Sequence, residues 1–302
     1  MNERLSKKHH YVPQCFLRRF SHDGGKSIHA YDTTAQKYFS TNTENIAHEN
    51  YFNEFEIGNE VFSIEEWLAS IETMTAPSID RLLSQGSLAD FGANDKAWIC
   101  HFAAIQFART TAFRNRTRGA FTKMQQAIEK KLSGLGESEL YDQGDLHLSD
   151  AEAREYACRQ VVQAPQKFAE HFATKAWVLL STEPEYAFLL GDNPVALHNS
   201  RSFAIGGNLG LSVPGIEIYL PLSPTRSLCF LCPSHMENPA IGSRAMDGHV
   251  LRLAAADVDR VNAIQILNAE RFVFSSTADF RLVDRVTKGK SAADCGPRFE
   301  CE

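Results

Sequence analysis

The 302-residue sequence predicts an α+β fold in which a helical middle segment packs with a mixed or antiparallel sheet built from the N-terminal arm and the C-terminal half. Residues 1 to about 60 are polar and aromatic-rich, with no sustained helical period. From Ser63 to about Leu180 apolar residues recur three and four apart, and from Tyr186 onward short apolar runs alternate with turn chemistry. These shifts divide one domain, 1–288, into an arm (1–60), a helical part (63–181) and a strand-rich part (186–288), followed by a tail (289–302) expected to fray.

In the arm, Ser27 to Tyr31 and Lys37 to Ser40 look extended around the turn-forming run Asp32 to Gln36, which predicts a hairpin. Asn50 to Asn53 and Phe55 to Ile57 are candidates for a further strand. Ser63 followed by Glu66 has the spacing of a capping box, with Ile64, Trp67, Leu68 and Ile71 on one face of the helix it opens. Pro77 is placed to start a second helix that Gly86 closes. One long helix is expected over about Lys96 to Leu132, with Gly119 a candidate break. Ser149 and Glu152 form another capping box, opening a helix interrupted near Pro165 and resuming to about Leu180. Strands are expected at Tyr186 to Leu190, Ile216 to Leu220, Leu228 to Leu231 and Arg271 to Phe274, with a helix from about Ala256 to Ala269 before the last.

Composition sets the class of chemistry. Hydrophobic residues are 43% and charged residues 23%, ordinary for a globular chain with a sizeable core. No run approaches the roughly 18 apolar residues of a membrane helix. The opening MNERLSKKHHYVPQ lacks the apolar stretch of a signal peptide, so a cytoplasmic location is expected. The seven cysteines are then expected to be reduced. Cys229 and Cys232 have half the spacing of a zinc knuckle, but their run reads as a strand, on which residues three apart face opposite ways. With 31 basic and 37 acidic residues, the net charge of −6 is not the footprint of a general nucleic-acid binder. Any such contact falls to a local patch such as Arg109, Arg114, Arg116 and Arg118, of which the last three are expected on a solvated face.

Chemistry-bearing residues concentrate in three places. The first is Lys8-His9-His10-Tyr11-Val12-Pro13-Gln14 with Arg18 and Arg19 after it. Histidine serves as metal ligand and general base near neutral pH, though in a polar arm it also merely hydrogen-bonds. The second is Gly191-Asp192-Asn193-Pro194 at a strand end, where proline stiffens the turn. A carboxylate there is either a metal ligand or base, or the acceptor of an Asx-type turn. The third is the helix face Gln106, Arg109 and Phe113. A buried Arg109 needs an anion, for which Asp192, Glu72 or a substrate phosphate are the candidates. Two other matches fail: Tyr219 stands where a restriction-type nuclease pattern needs lysine, and the glycine-rich run 206–210 has no P-loop lysine. A serine nucleophile elbow is absent.

The run from Lys8 to Phe20 resembles the HHYVPQ-x-(Y/F)-L-R-x-F opening of a large, mostly bacterial family of unknown function. That family's central (S/T)-D-N-P-V turn is matched by Gly191 to Val195, and its P-L-S-P segment by Pro221 to Ser223 and Pro224. The segments Gln106 to Thr110 and Asn268 to Arg271 also look familial, and Gly191 departs from the usual serine. The resemblance implies signature positions at His9, His10, Gln14, Arg109, Asp192 and Asn193 rather than a reaction.

Histidine, carboxylate, amide and arginine are the groups that phosphoryl chemistry uses, which makes a phosphodiester hydrolase the leading expectation, a nuclease-like effector of bacterial defence or conflict. His9, His10, Gln14, Asp192 and Asn193 would be catalytic, with His10 and Asp192 holding Mg or Mn. Arg109, Gln106 and Arg18 would grip a nucleic acid or nucleotide, with Arg109 as the phosphate clamp. If the two motifs share a site, His9 or His10 should lie close to Asp192. The rival expectation is a non-catalytic sensor module that binds a nucleotide or a peptide, or a partner protein, through the same residues. A third makes the arm a structural strap across the helices.

Overall fold

A computed structural model describes residues 7–135, 149–199, 201, 209–235 and 247–288. The arm begins with β1 (Lys8–His10), a short helix α1 (Gln14–Leu17) and a 3-10 turn over Arg18–Phe20. The predicted hairpin forms from β2 (Ser27–Asp32) and β3 (Lys37–Asn42). Next come β4 (His48–Asn50), which pairs antiparallel with β1, and the ribbon β5 (Glu54–Ile57) and β6 (Glu60–Ser63).

The helical part departs from expectation at several points. Helix α2 (Glu65–Gln85) runs through Pro77, its lost backbone bond offset by burying Leu68, Thr75, Ser78, Ile79 and Leu82. Its cap is Ile64, and the Ser63–Glu66 box does not form; the Ser63 hydroxyl accepts instead from the Glu65 N–H. Gly86 ends the helix at φ +59°, a left-handed conformation that glycine takes without steric cost. The single long helix becomes two, α3 (Ala93–Ala108) and α4 (Thr111–Leu135), broken at Arg109 and Thr110 rather than at Gly119. Helix α5 (Asp150–Ala173) starts with the predicted Ser149–Glu152 box and is not interrupted at Pro165.

The helix expected to resume to Leu180 stops at Ala173, and β7 (Ala176–Ser181) follows, every residue of it buried. A short apolar run is equally compatible with a buried helix segment and a buried strand. Beyond it lie β8 (Leu190–Gly191), β9 (Ala196–His198), β10 (Glu217–Ser223), β11 (Arg226–Leu231), β12 (His249–Arg252), α6 (Ala255–Asn268), β13 (Phe272–Ser275) and α7 (Arg281–Lys288). Of the strand expected at Tyr186 to Leu190 only its end pairs, because Pro184–Tyr186 is a 3-10 turn.

Two sheets result. The order β12-β7-β11-β10-β9 is mixed, with β12 and β7 parallel and the other pairs antiparallel. The order β3-β2-β13-β8 joins the N-terminal hairpin to C-terminal strands, as the sequence predicts. Leu179, Leu228 and Phe230 face the helical layer with Leu82, Phe102 and Phe172, while Val178, Cys229 and Leu231 pack with Val258 and Val261 of α6. Cys232 packs against the first of these clusters, so it and Cys229 do face opposite ways, both as free thiols. Cys295, Cys301 and the tail lie outside the described residues.

Helix α6 also fixes the 187–197 segment through a row of amides, of which Asn262 and Gln265 are buried. Asn262 accepts from the Leu189 N–H and Gln265 from that of Gly191, while Gln265 donates to the Pro194 carbonyl and Asn268 to that of Leu197. This closeness accounts for glycine at 191: a Cβ there would lie 3.1 Å from the Gln265 carbonyl oxygen and 3.2 Å from its side-chain oxygen. A serine at 191 would require the Gln265 backbone and side chain to give by a few tenths of an ångström.

Candidate functional site

The C-terminal end of α3 ties both sequence motifs to one junction. Gln106, fully buried, donates from Nε2 to the Tyr11 carbonyl at 3.0 Å. Arg109, 3% exposed, donates to the carbonyl of His10 at 2.5 Å and to Glu72 at 2.7 Å. Thr110, at the break between α3 and α4, donates to Asn193 Oδ1 at 3.3 Å and accepts from the Phe113 N–H. Of the anions considered for Arg109, Glu72 is the one the fold supplies, and both terminal nitrogens of its guanidinium are already engaged. The phosphate-clamp role is therefore not what this geometry prepares.

Asp192 is used up in the same sense. Its Oδ1 accepts from the Glu270 N–H at 2.7 Å, and its Oδ2 accepts from the N–H groups of Arg271 and Phe272, both at 2.8 Å. Burial pushes its carboxyl up to about 6 against the pull of those three donors, so it is ionised at neutral pH. It fixes the turn from α6 into β13, which is the Asx-like structural role rather than the metal-ligand one. Its neighbour Asn193 accepts from Thr110 and donates to the Asn268 carbonyl at 3.3 Å.

Neither histidine makes a direct bond to Asp192 among the contacts that define it. His9 is fully buried, and its Nδ1 accepts from the Asn53 N–H at 3.0 Å, which leaves the proton on Nε2, 3.5 Å from Glu54 Oε1. His10 points to the other side of β1. It is hydrogen-bonded to the Thr43 backbone and contacts His48 with ring centres 5.4 Å apart, and burial lowers its pKa to about 4. Gln14 accepts from Arg18 at 2.5 Å along α1, and Arg18 is exposed. Both oxygens of Asp192, one of the two ligands expected for Mg or Mn, are thus already taken up by backbone donors. Among the described residues, no three His, Cys, Asp or Glu side chains converge to hold a metal.

Arg114 and Arg116 correct the solvated-face expectation. The Arg114 guanidinium lies 3.3 Å from the centre of the Phe52 ring and donates to the Phe52 carbonyl and Asn53 Oδ1. Burial brings both arginines down to about 10, still charged at neutral pH. Arg118 does lie on an exposed face, paired with Asp150 at 3.0 Å.

One open concavity lies beside Glu54, the carboxylate that His9 faces. A groove of about 350 Å³ separates the β5–β6 ribbon from the start of α5, lined by Tyr51, Glu54, Phe55, Glu56, Asp150 and Arg154 among others. Its wall is built under strain, for Tyr51 holds φ +57°, a left-handed conformation that a bulky residue rarely adopts. Glu54, Asp150 and Tyr51 were not singled out from the sequence. Glutamates and tyrosines in a polar arm carry no periodic signal, and Asp150 reads only as part of a helix start.

The fold is mixed α+β, with its N-terminal arm pinned to α3 beside a groove lined by three carboxylates. Residues 8–279 match the family model described as Protein of unknown function (DUF4238), and the chain belongs to that family. No curated protein and no solved structure matches the chain. No helix among the described residues is long and apolar enough to cross a membrane.

Proposed function

We propose that this protein is a binding module, and that its ligand is a peptide segment bearing basic and apolar side chains, taken into the groove between the β5–β6 ribbon and α5. The observation that carries this reading is the use of His9. Its tautomer is fixed by the Asn53 N–H, and it directs its remaining N–H toward Glu54, which lines the groove. The signature histidine is thereby a positioning residue for a binding carboxylate.

The lining suits such a ligand. Glu54, Glu56 and Asp150 place three carboxylates against the one guanidinium of Arg154, while Tyr51, Phe55 and Val61 offer apolar contact. Arg118 reaches Asp150 from outside the lining, but both side chains are exposed and such pairs are weak. A phosphate-bearing ligand would meet mostly like charge there, which weighs against the nucleotide form of the module. The strained Tyr51 backbone, worth on the order of 1–3 kcal/mol, fits a residue held for contact rather than for folding.

The competing reading is phosphodiester hydrolysis in bacterial defence, with its Mg or Mn. The engagement of Asp192 and Arg109 by the fold leaves it without prepared groups. The test is fluorescence anisotropy with labelled peptides of matched length, basic-aromatic against acidic-aromatic, beside a cleavage assay on RNA and DNA with Mg or Mn. Preference for the basic peptide, weakened about tenfold or more in Glu54→Gln at unchanged Tm and reduced by salt, is the expected result. Equal binding of both peptides, or cleavage of either polymer, overturns the reading.

A further inference from the structure

We infer that His10 and His48 form a cross-strand bis-imidazole site for a borderline divalent transition-metal ion such as zinc or nickel. The two residues are direct partners in the antiparallel β1–β4 pair, so their side chains leave the same face of the ribbon. Their ring centres are 5.4 Å apart with an interplanar angle of 62°. With metal–nitrogen bonds of about 2.0–2.1 Å and a tetrahedral angle at the ion, two imidazole centres fall about 5 Å apart. The observed spacing is that of a chelating pair, not of stacked rings.

The nitrogens are prepared as well. His10 Nε2 and His48 Nδ1 are each buried and without a hydrogen-bond partner, a costly arrangement for two polar atoms on touching rings. The Thr43 backbone hydrogen-bonds to the His10 ring and favours its protonated form, as an accepting carbonyl does. That places the ring proton on Nδ1 and the lone pair on Nε2, the arrangement in which a backbone carbonyl orients a metal-binding histidine. Burial keeps both imidazoles neutral at physiological pH, the form a metal takes. His48 is bracketed by two non-glycine residues in the left-handed region, Ala47 at φ +55° and Tyr51 at φ +57°, so β4 is held in place at a conformational cost.

The surroundings select the ion. Among the described residues no carboxylate joins the pair: the charged neighbours of His10 are Lys8 and Arg109, and Arg109 is itself paired with Glu72. Two imidazoles without a carboxylate suit zinc, nickel or copper and reject the hard magnesium and manganese ions. Solvent would complete the coordination, since no third His, Cys, Asp or Glu joins the pair among the described residues. The stacked pair His22 and His29, at 4.1 Å and 16°, lacks this geometry and serves as the internal control.

The test is isothermal titration of the chelator-treated full chain with zinc chloride and nickel chloride at pH 7, in wild type and in His10→Gln, His48→Gln and His22→Gln. One ion per chain is expected, weakened at least tenfold in the first two variants and unchanged in the third. X-ray absorption of the zinc-loaded wild type should show scattering from two imidazoles, which keeps the test decisive even if a variant misfolds. Absence of binding, binding that survives in both His10→Gln and His48→Gln, or a spectrum without two imidazoles overturns the assignment.

Discussion

The N-terminal arm and the 191–194 turn bring the same kinds of polar residue to the same end of α3, yet the fold treats them oppositely. At the turn, each oxygen of Asp192 meets backbone donors, three in all, and Asn193 is matched on both sides. In the arm, His10 and its cross-strand partner keep buried nitrogens with no partner, and His9 holds a carboxylate at the edge of a groove. The difference teaches that a polar signature residue is informative about function only once its hydrogen bonds are accounted for. A saturated group stabilises the fold, whereas an unsaturated one that the fold retains at a cost is where a ligand is to be sought.

The largest effect separating the two regions is expected at Asp192. Asparagine presents an N–H₂ where one carboxylate oxygen accepts from Arg271 or Glu270, so a donor faces a donor. Asp192→Asn should lose about 3–5 kcal/mol in urea unfolding, from several charge-assisted bonds of a buried acceptor. Binding to the groove should be unchanged in the fraction that folds. A loss below about 1 kcal/mol would erase the contrast, because it would leave Asp192 as dispensable to folding as a site residue.

A second effect sharpens the comparison through pH. Burial lowers the His10 pKa to about 4 in the folded protein, against the ordinary imidazole value of 6.5 when unfolded, so its contribution is present above 6.5 and is lost as pH falls toward 4. The loss is about 3 kcal/mol by the bottom of that window. Asp192 works in the opposite sense: raised to about 6, its contribution is full below the unfolded carboxylate range and is lost as pH rises through 6. Wild-type stability between pH 6 and 4 should therefore carry two opposing slopes. His10→Gln should show a shallower acid loss than wild type across that range; identical profiles would place the arm's imidazole outside the low-dielectric interior.

Asn193→Ala should have the smallest effect, about 1 kcal/mol, since both of its side-chain bonds are long at 3.3 Å. Its loss should be additive with that of His10→Gln, since the two side chains have different hydrogen-bond partners. A coupling energy beyond about 0.5 kcal/mol between them would mean that the two regions act as one unit after all.

Where a pattern is local, the sequence was legible. The β2–β3 hairpin, the β10–β11 hairpin around Ser223 to Arg226, the Ser149–Glu152 capping box, the helix over α6 and the opposed facing of Cys229 and Cys232 all follow from turn chemistry, capping and side-chain period. The same local reasoning failed at β7, where Trp177 to Leu180 carry no period, and at Pro77 and Pro165, where packing overrode a helix breaker. It also placed Arg114 in water, although the Phe52 ring and carbonyl that receive it lie in a different element.

The sequence by itself determined the α+β class, the family and the residues worth inspecting, because these depend on periodicity and on short motifs with fixed spacing. Only the tertiary structure decided which of those residues are spent. Glu72 reaches Arg109 across 37 positions, His48 meets His10 across 38, and the 270–272 backbone meets Asp192 across nearly 80. Hydrogen bonding and burial of this kind are set by which elements pack together, and no local pattern in a chain encodes the partner that a distant segment will bring.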